Sequence, residues 1–271
     1  MILSDDELSR YARHIVLPQF GSSGQARLKR ATVAVIGAGG IGSPVIQYLA
    51  AAGIGRLRLI DDDRVEASNL HRQAIYATGD ARRPKVRAAA DAVARLNPHV
   101  TVETRAERID ATSAAALLEG ADAVADGCDN FATRLAVADA ALALRIPLIS
   151  SSVAQFEGQL GVYRGWERDL PCYRCFVGGD PGREAGSCAE DGVLGPAAGV
   201  LGTLAAVEAV RAVAPFGDDP AGRLLLVDLL AGRFRTIRLI KDPACPACGP
   251  GLTEGGRGSP ALNRSARART P

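Results

Sequence analysis

Between residues 32 and 151 two hydrophobic periods alternate along the chain. Residues 32–36 (TVAVI) form a short β-branched run that predicts a buried strand; a glycine cluster and an apolar helical stretch at 44–52 follow it. Further strands are predicted at 57–60, 99–104, 123–126 and 147–151, with helices at 84–96, 111–119 and 130–144 between them. Regular alternation of this kind argues for an α/β fold with a Rossmann-like, doubly wound parallel sheet.

The two ends read differently. Ser4 and Glu7 have capping-box spacing and predict a helix running to about Arg13 and stopping before Pro18. After Ser151 a strand at 158–164 and a hairpin of 223–230 with 234–241, turning at Ala231-Gly232-Arg233, predict antiparallel strands that extend the parallel sheet. A helix is expected at 196–213, and the glycine-rich stretch 178–192 is expected to hold a mobile loop near 180–192.

Composition narrows the class. With 271 residues, 47% of them hydrophobic, the chain can bury one full core, and a single domain is expected over residues 1–250. Residues 251–271 are rich in Gly, Ser, Pro and Arg, lack apolar periodicity and read as a disordered tail. A net charge of +2 gives no general nucleic-acid binder. The first ten residues are acidic and polar, and the longest apolar run, 193–215, carries Glu208 and Arg211. A soluble cytoplasmic protein with no membrane partner is expected.

Residues 37–42 read GAGGIG, a GxGxxG turn between a strand and a helix. Gly37, Gly39, Gly40 and Gly42 let the backbone approach a pyrophosphate while the helix N-terminus supplies donors. Asp61 follows 19 residues after Gly42, where a carboxylate can accept from ribose hydroxyls. The motif alone fits an NAD-dependent oxidoreductase as well as an ATP enzyme; no GxxxxGK P-loop occurs.

The charges separate those readings. Lys85 opens a predicted helix, where a cation opposes the helix dipole unless an anion is bound beside it. Arg72 and Lys85 suit phosphates. Asp129, in the DGCDN run at 126–130, sits at the C-terminal edge of a strand, where such sheets bind ligands; it either holds Mg²⁺ through water or caps the following helix, a task Asn130 can also perform.

The ordered set RYARHI at 10–15, GAGGIG at 37–42, DDD at 61–63, SNLHRQ at 68–73, RPK at 83–85 and DGCDN at 126–130 resembles the MoeB/ThiF family, which is similar to the adenylation domain of ubiquitin-activating enzymes. The resemblance covers about residues 4–249. It implies ATP- and Mg²⁺-dependent adenylylation of the C-terminal Gly-Gly carboxylate of a small ubiquitin-like sulfur carrier, of molybdopterin type or, within the family, of thiamine or another pathway. It further implies that Asp61 binds ribose, that Arg72 and Lys85 bind phosphates, that Asp129 supports the metal, and that Asn69, Gln73 and Asp63 line the pocket. Arg13 is implied to enter the partner's active site in a homodimer. Asp62 departs from the family's frequent apolar residue and is expected to face solvent. No rhodanese domain follows in this sequence, so a separate sulfur donor, such as a cysteine desulfurase or rhodanese, is expected.

Four of the six cysteines form two CxxC pairs, Cys172/Cys175 and Cys245/Cys248. Four thiolates suit a closed tetrahedral Zn²⁺ site, although the 69 intervening residues exceed the usual ribbon spacing. The resemblance implies such a site, and losing it is expected to destabilise the fold while leaving the nucleotide pocket intact. Cys128 reads as a small buried hydrophobe. Cys188, in the glycine-rich stretch, is either a spectator or, as in relatives, a nucleophile toward the acyl adenylate.

Overall fold

The N-terminal segment forms two short helices rather than one. In the computed structural model, which describes residues 3–179 and 192–249, α1 (Asp5–Arg10) carries the expected reciprocal cap: the Glu7 N–H donates to Ser4 Oγ at 3.3 Å and the Ser4 N–H to Glu7 Oε2 at 2.8 Å. The helix breaks at Tyr11, whose buried hydroxyl accepts from Asn97 Nδ2 at 2.8 Å, and α2 (Ala12–Ile15) follows. Next comes α3 (Gly21–Arg30), which the sequence does not predict. The expected loop near 180–192, Cys188 and the tail 251–271 fall wholly or almost wholly outside the described residues.

The alternation then unfolds as predicted: β1 (Thr32–Ile36), α4 (Gly42–Ala52), β2 (Arg56–Ile60), α5 (Lys85–Leu96), β3 (Thr101–Arg105), α6 (Ala114–Leu118), β4 (Ala123–Asp126), α7 (Phe131–Leu144) and β5 (Leu148–Ala154). After these come β6 (Glu157–Tyr163), a five-residue helix α8 (Tyr173–Val177), the long α9 (Gly195–Val213), and the hairpin β7 (Arg223–Asp228) with β8 (Arg233–Arg238). Strand β3 starts two residues later than predicted, α6 is shorter, and both hairpin strands end earlier.

Among the described residues the eight strands form one sheet in the order β3-β2-β1-β4-β5-β6-β7-β8. Pairing is parallel from β3 to β5 and antiparallel from β5 onward. The central parallel strands β1 and β4, covered on both faces, bury nearly every side chain, which explains their apolar runs, whereas β2 and the edge strand β3 expose Arg56, Thr101 and Arg105. In β1, Val33 and Val35 enter one core with α4, α5 and α9, while Ala34 and Ile36 enter the other with α6 and α7. Among the described residues one helix, α9, is long and apolar enough to cross a membrane. Here its buried residues, among them Leu201, Ala205 and Ala209, share the first core with α4 and the sheet. The chain leaves β1 for β2 on one side and returns to β4 on the other. That reversal opens a crevice at the C-terminal ends of β1 and β4.

Candidate functional site

The glycine turn fills the floor of that crevice. Gly37 takes φ +80°, and a Cβ on Gly42 would lie 1.9 Å from the Gly37 carbonyl oxygen, so only glycine closes this turn. Asp61 follows β2, and its carboxylate accepts from the Ala38 N–H at 2.7 Å and the Asp63 N–H at 2.8 Å. Burial pushes the Asp61 pKa up; Lys85 and the two N–H donors oppose that rise without cancelling it. Buried Tyr76, which sequence reasoning missed, donates its hydroxyl to the Ala38 carbonyl at 2.8 Å and braces the turn from behind.

The two cations line the same cavity as the glycines, Arg72 directly beside Gly40. Lys85 begins α5, and its side chain, only 7% exposed, places Nζ 2.7 Å from Asp63 Oδ2. Arg72 donates to the Ser68 carbonyl at 3.2 Å. Asn69 and Gln73 are buried, and Gln73 Oε1 has no hydrogen-bond partner among the described residues. A buried amide oxygen without a donor is costly, so a ligand donor there would relieve it. Asp62 is exposed, as expected.

At the end of β4, Asn130 caps α7 by accepting from the Thr133 N–H at 2.8 Å. The exposed Asp129 carboxylate is thereby released from the capping role. Beneath it lies a network absent from the sequence reading. Buried Arg134 donates to Ser150 Oγ at 3.1 Å, to the Ser151 carbonyl at 2.9 Å and to the Cys128 carbonyl, and stands 3.5 Å from fully buried Asp126. Burial, the largest single effect, works against its charge, but Asp126 together with Cys128 and Tyr173 raises its pKa overall and keeps the guanidinium protonated. The Cys128 thiol is pushed well up by burial and by Asp126, so it is no ready nucleophile.

These groups share one cavity of about 840 Å³. Gly37, Gly39, Gly40, Asp61, Asp63, Asn69, Arg72, Gln73, Lys85 and Asp129 all line it. Gly42 shapes the turn from outside the lining. Arg13, exposed on α2, is not brought to this cavity by its own chain.

A second cluster brings the two CxxC pairs together. Sγ separations are 3.8 Å for Cys172–Cys175, 3.6 Å for Cys172–Cys245 and 3.4 Å for Cys175–Cys248. All four sulfurs lie within 4.8 Å of one another. These spacings are far above a disulfide bond of about 2.05 Å and match the edges of a tetrahedron with metal–sulfur bonds of about 2.3 Å. The Asp242 N–H points at Cys175 Sγ, 3.4 Å away, as an outer-shell donor does. The cluster is not separate from the nucleotide cavity: Tyr173, Phe176 and Val177 of α8, the helix inside the first CxxC pair, line that cavity. The two sites are thus contiguous through α8.

Comparison with known proteins agrees with this geometry. The ThiF family model matches residues 11–247. The sulfur carrier protein adenylyltransferase of Thermus thermophilus is 45% identical over 253 residues, covering 92% of this chain and 93% of that protein. The molybdopterin-synthase adenylyltransferase of Salmonella typhimurium is 40% identical over 247 residues, covering 91% and 98%. Adenylyltransferase and sulfurtransferase MOCS3 of Bos taurus is 48% identical over 249 residues; 91% of this chain matches but only 54% of that protein, so the chain spans about half its length. Among solved structures, E. coli MccB with MccA-N7isoASN shares the fold, with a TM-score of 0.78 at 23% identity over 91% of this chain and 75% of that one. A family match running from the N-terminal helices to the cysteine knuckle, with full-length relatives at 40% identity or more, means that this chain belongs to the ThiF family.

Proposed function

We propose that the protein adenylylates the C-terminal carboxylate of a small ubiquitin-like sulfur carrier ending in Gly-Gly. The observation that carries this reading is the meeting of the glycine turn, Asp61, Arg72, Lys85 and Asp129 around one cavity. A nicotinamide enzyme has no use for that cation pair facing a carboxylate, whereas a triphosphate with Mg²⁺ uses both.

An ionised carboxylate oxygen of the carrier attacks the α-phosphorus of ATP in line. The bond from phosphorus to the bridging oxygen breaks, pyrophosphate leaves with that oxygen, and carrier-CO-AMP remains. The attacking group is already an anion, so no general base is needed; positioning and charge stabilisation supply the rate. Asp61 holds the ribose hydroxyls. Arg72 and Lys85 take up charge on the β- and γ-phosphates. Asp129 would hold Mg²⁺, which neutralises charge building on the leaving pyrophosphate. A thin, side-chain-free Gly-Gly tail is the form of chain that most easily reaches the α-phosphorus of a nucleotide held in the cavity.

The same reading assigns Zn²⁺ to the four cysteines, a separate protein as sulfur donor, and the cytoplasm as the place of work, where thiols stay reduced. It makes the protein a homodimer in which Arg13, exposed and outside the lining of its own cavity, completes the partner's phosphate site. Cys188 is assigned a spectator role in adenylate formation. A molybdopterin-type carrier is favoured, on the full-length likeness to the Salmonella typhimurium protein. The test is ATP–pyrophosphate exchange with molybdopterin-type and thiamine-type carriers in parallel. Exchange must need Mg²⁺ and an intact Gly-Gly end, and the carrier that supports it identifies the pathway. Exchange with neither carrier rejects the proposal.

A further inference from the structure

The cysteine knuckle and the Asp129 loop are joined by a continuous set of contacts. Cys172 is the N-cap of α8 and Cys175 lies within it, so a metal held by these thiols fixes the N-terminal turn of the helix, the turn that carries Tyr173 and Arg174. Arg174 grips Asp139 of α7 through two bonds of 2.7 Å. Tyr173 packs edge-on against Tyr163, with centroids 5.3 Å apart, and its hydroxyl lies beside the Arg134 guanidinium. Arg134 in turn holds the carbonyls of Cys128 and Ser151 and the hydroxyl of Ser150. The Cys128 carbonyl belongs to the peptide unit that leads into Asp129. A planar guanidinium serves these three acceptors at once, which a lysine ammonium cannot do in this geometry. Sub-ångström placement of a metal-supporting carboxylate matters, since displacements near 1 Å are felt strongly in catalysis.

We infer that Arg134 and Tyr173 are positioning residues that pass the placement of the metal-bound knuckle to the Asp129 loop, so that metal at the cysteines sets the shape of the nucleotide cavity. The role of Asp129 toward Mg²⁺ rests on the function proposed above; the mechanical link does not. Neither residue needs to touch substrate. Arg134 acts through the Cys128 carbonyl, and Tyr173 acts through Arg134.

The experiment uses the full chain with its metal in place and reads amide hydrogen exchange over residues 127–133 together with MgATP affinity. Neither readout requires the adenylation reaction, so failure of the link and failure of the functional reading are distinguishable. Arg134→Lys is expected to speed exchange in the loop by about tenfold or more and to raise the Mg²⁺ concentration needed for half-maximal nucleotide binding, with metal content unchanged. Tyr173→Phe, which keeps the ring packing, is expected to shift both readouts in the same direction by a smaller factor. It also carries the test if Arg134→Lys does not fold. Removing the knuckle metal from the unmodified protein with a chelator is expected to loosen the same loop before the amides of α3, which is outside the cavity lining, respond. Loop exchange and Mg²⁺ dependence that stay at the unmodified level in Tyr173→Phe and in the folded Arg134 variant would overturn the inference, as would metal removal that loosens α3 and the loop equally.

Discussion

Lys85 Nζ stands 2.7 Å from Oδ2 of Asp63, so a largely buried ammonium on the cavity wall is held in place by an exposed carboxylate. The pair orients the cation toward the space above the glycine turn. Lys85→Ala should lower pyrophosphate exchange by about 10²–10³-fold, the loss expected for one group that stabilises transition-state charge. Lys85→Arg should recover little of it, because a forked guanidinium does not fit a slot built for a point charge. Steady-state exchange assays on variants of confirmed fold check this; near-normal activity in Lys85→Arg would contradict the slot.

Asp129 and Asn130 are neighbours with separable tasks. Asn130 caps α7, so Asn130→Ala should cost about 1 kcal/mol of stability in denaturant titration. Asp129→Ala, which removes no cap, should change stability by less than about 0.5 kcal/mol yet abolish Mg²⁺-dependent exchange. The opposite pattern would return Asp129 to a structural role.

Asp61 gives a pH signature. Its folded pKa is raised above the ordinary 3.8 by burial. The folded state therefore binds that proton more tightly than the unfolded state, and the resulting stability, full below 3.8, is lost as pH rises through the folded value. Asp61→Asn cannot titrate. The melting temperature of Asp61→Asn minus that of the unmodified protein should increase as pH climbs from 3.8 through the folded pKa, then level off. A difference that falls over that window would contradict a raised pKa. Nucleotide affinity should drop in the variant at neutral pH.

Much of this was legible in the sequence because it is carried by local rules. A β-branched run, a glycine turn and a helix in succession place β1, Gly37 to Gly42 and α4 without knowledge of the rest. What was not legible depends on partners far along the chain. The stretch GSSGQARLKR has the composition of a loop, yet it forms α3, since Gln25 and Leu28 are buried there and Gln25 Nε2 donates to the Ala52 carbonyl at 2.8 Å. The N-terminal helix breaks at Tyr11 because that side chain turns inward to Asn97. Arg134 is a lone cation in an otherwise mostly apolar helix, and its burial follows from Asp126 and from the β5 groups Ser150 and Ser151. The carboxylate ending a buried strand was the available signal. Helix α8 is too short for periodicity, so its double duty at the metal knuckle and the cavity wall left no trace in the pattern.

The cysteine cluster predicts composition as well as stability. Purified protein should carry one zinc per chain by elemental analysis, and Cys175→Ser should lose it along with thermal stability. Metal-free protein with both CxxC pairs oxidised to disulfides would contradict the Sγ arrangement.

The central claim is that ATP is cleaved at the α-phosphorus by a protein carboxylate. Intact mass spectrometry of the carrier, after incubation with enzyme and MgATP and with no sulfur source present, tests it most directly. A carrier that gains the mass of one adenylyl group, matched by released pyrophosphate and lost when its terminal glycine is removed, is the predicted result. An unmodified carrier with ATP converted to ADP and phosphate, or with ATP untouched, would contradict it.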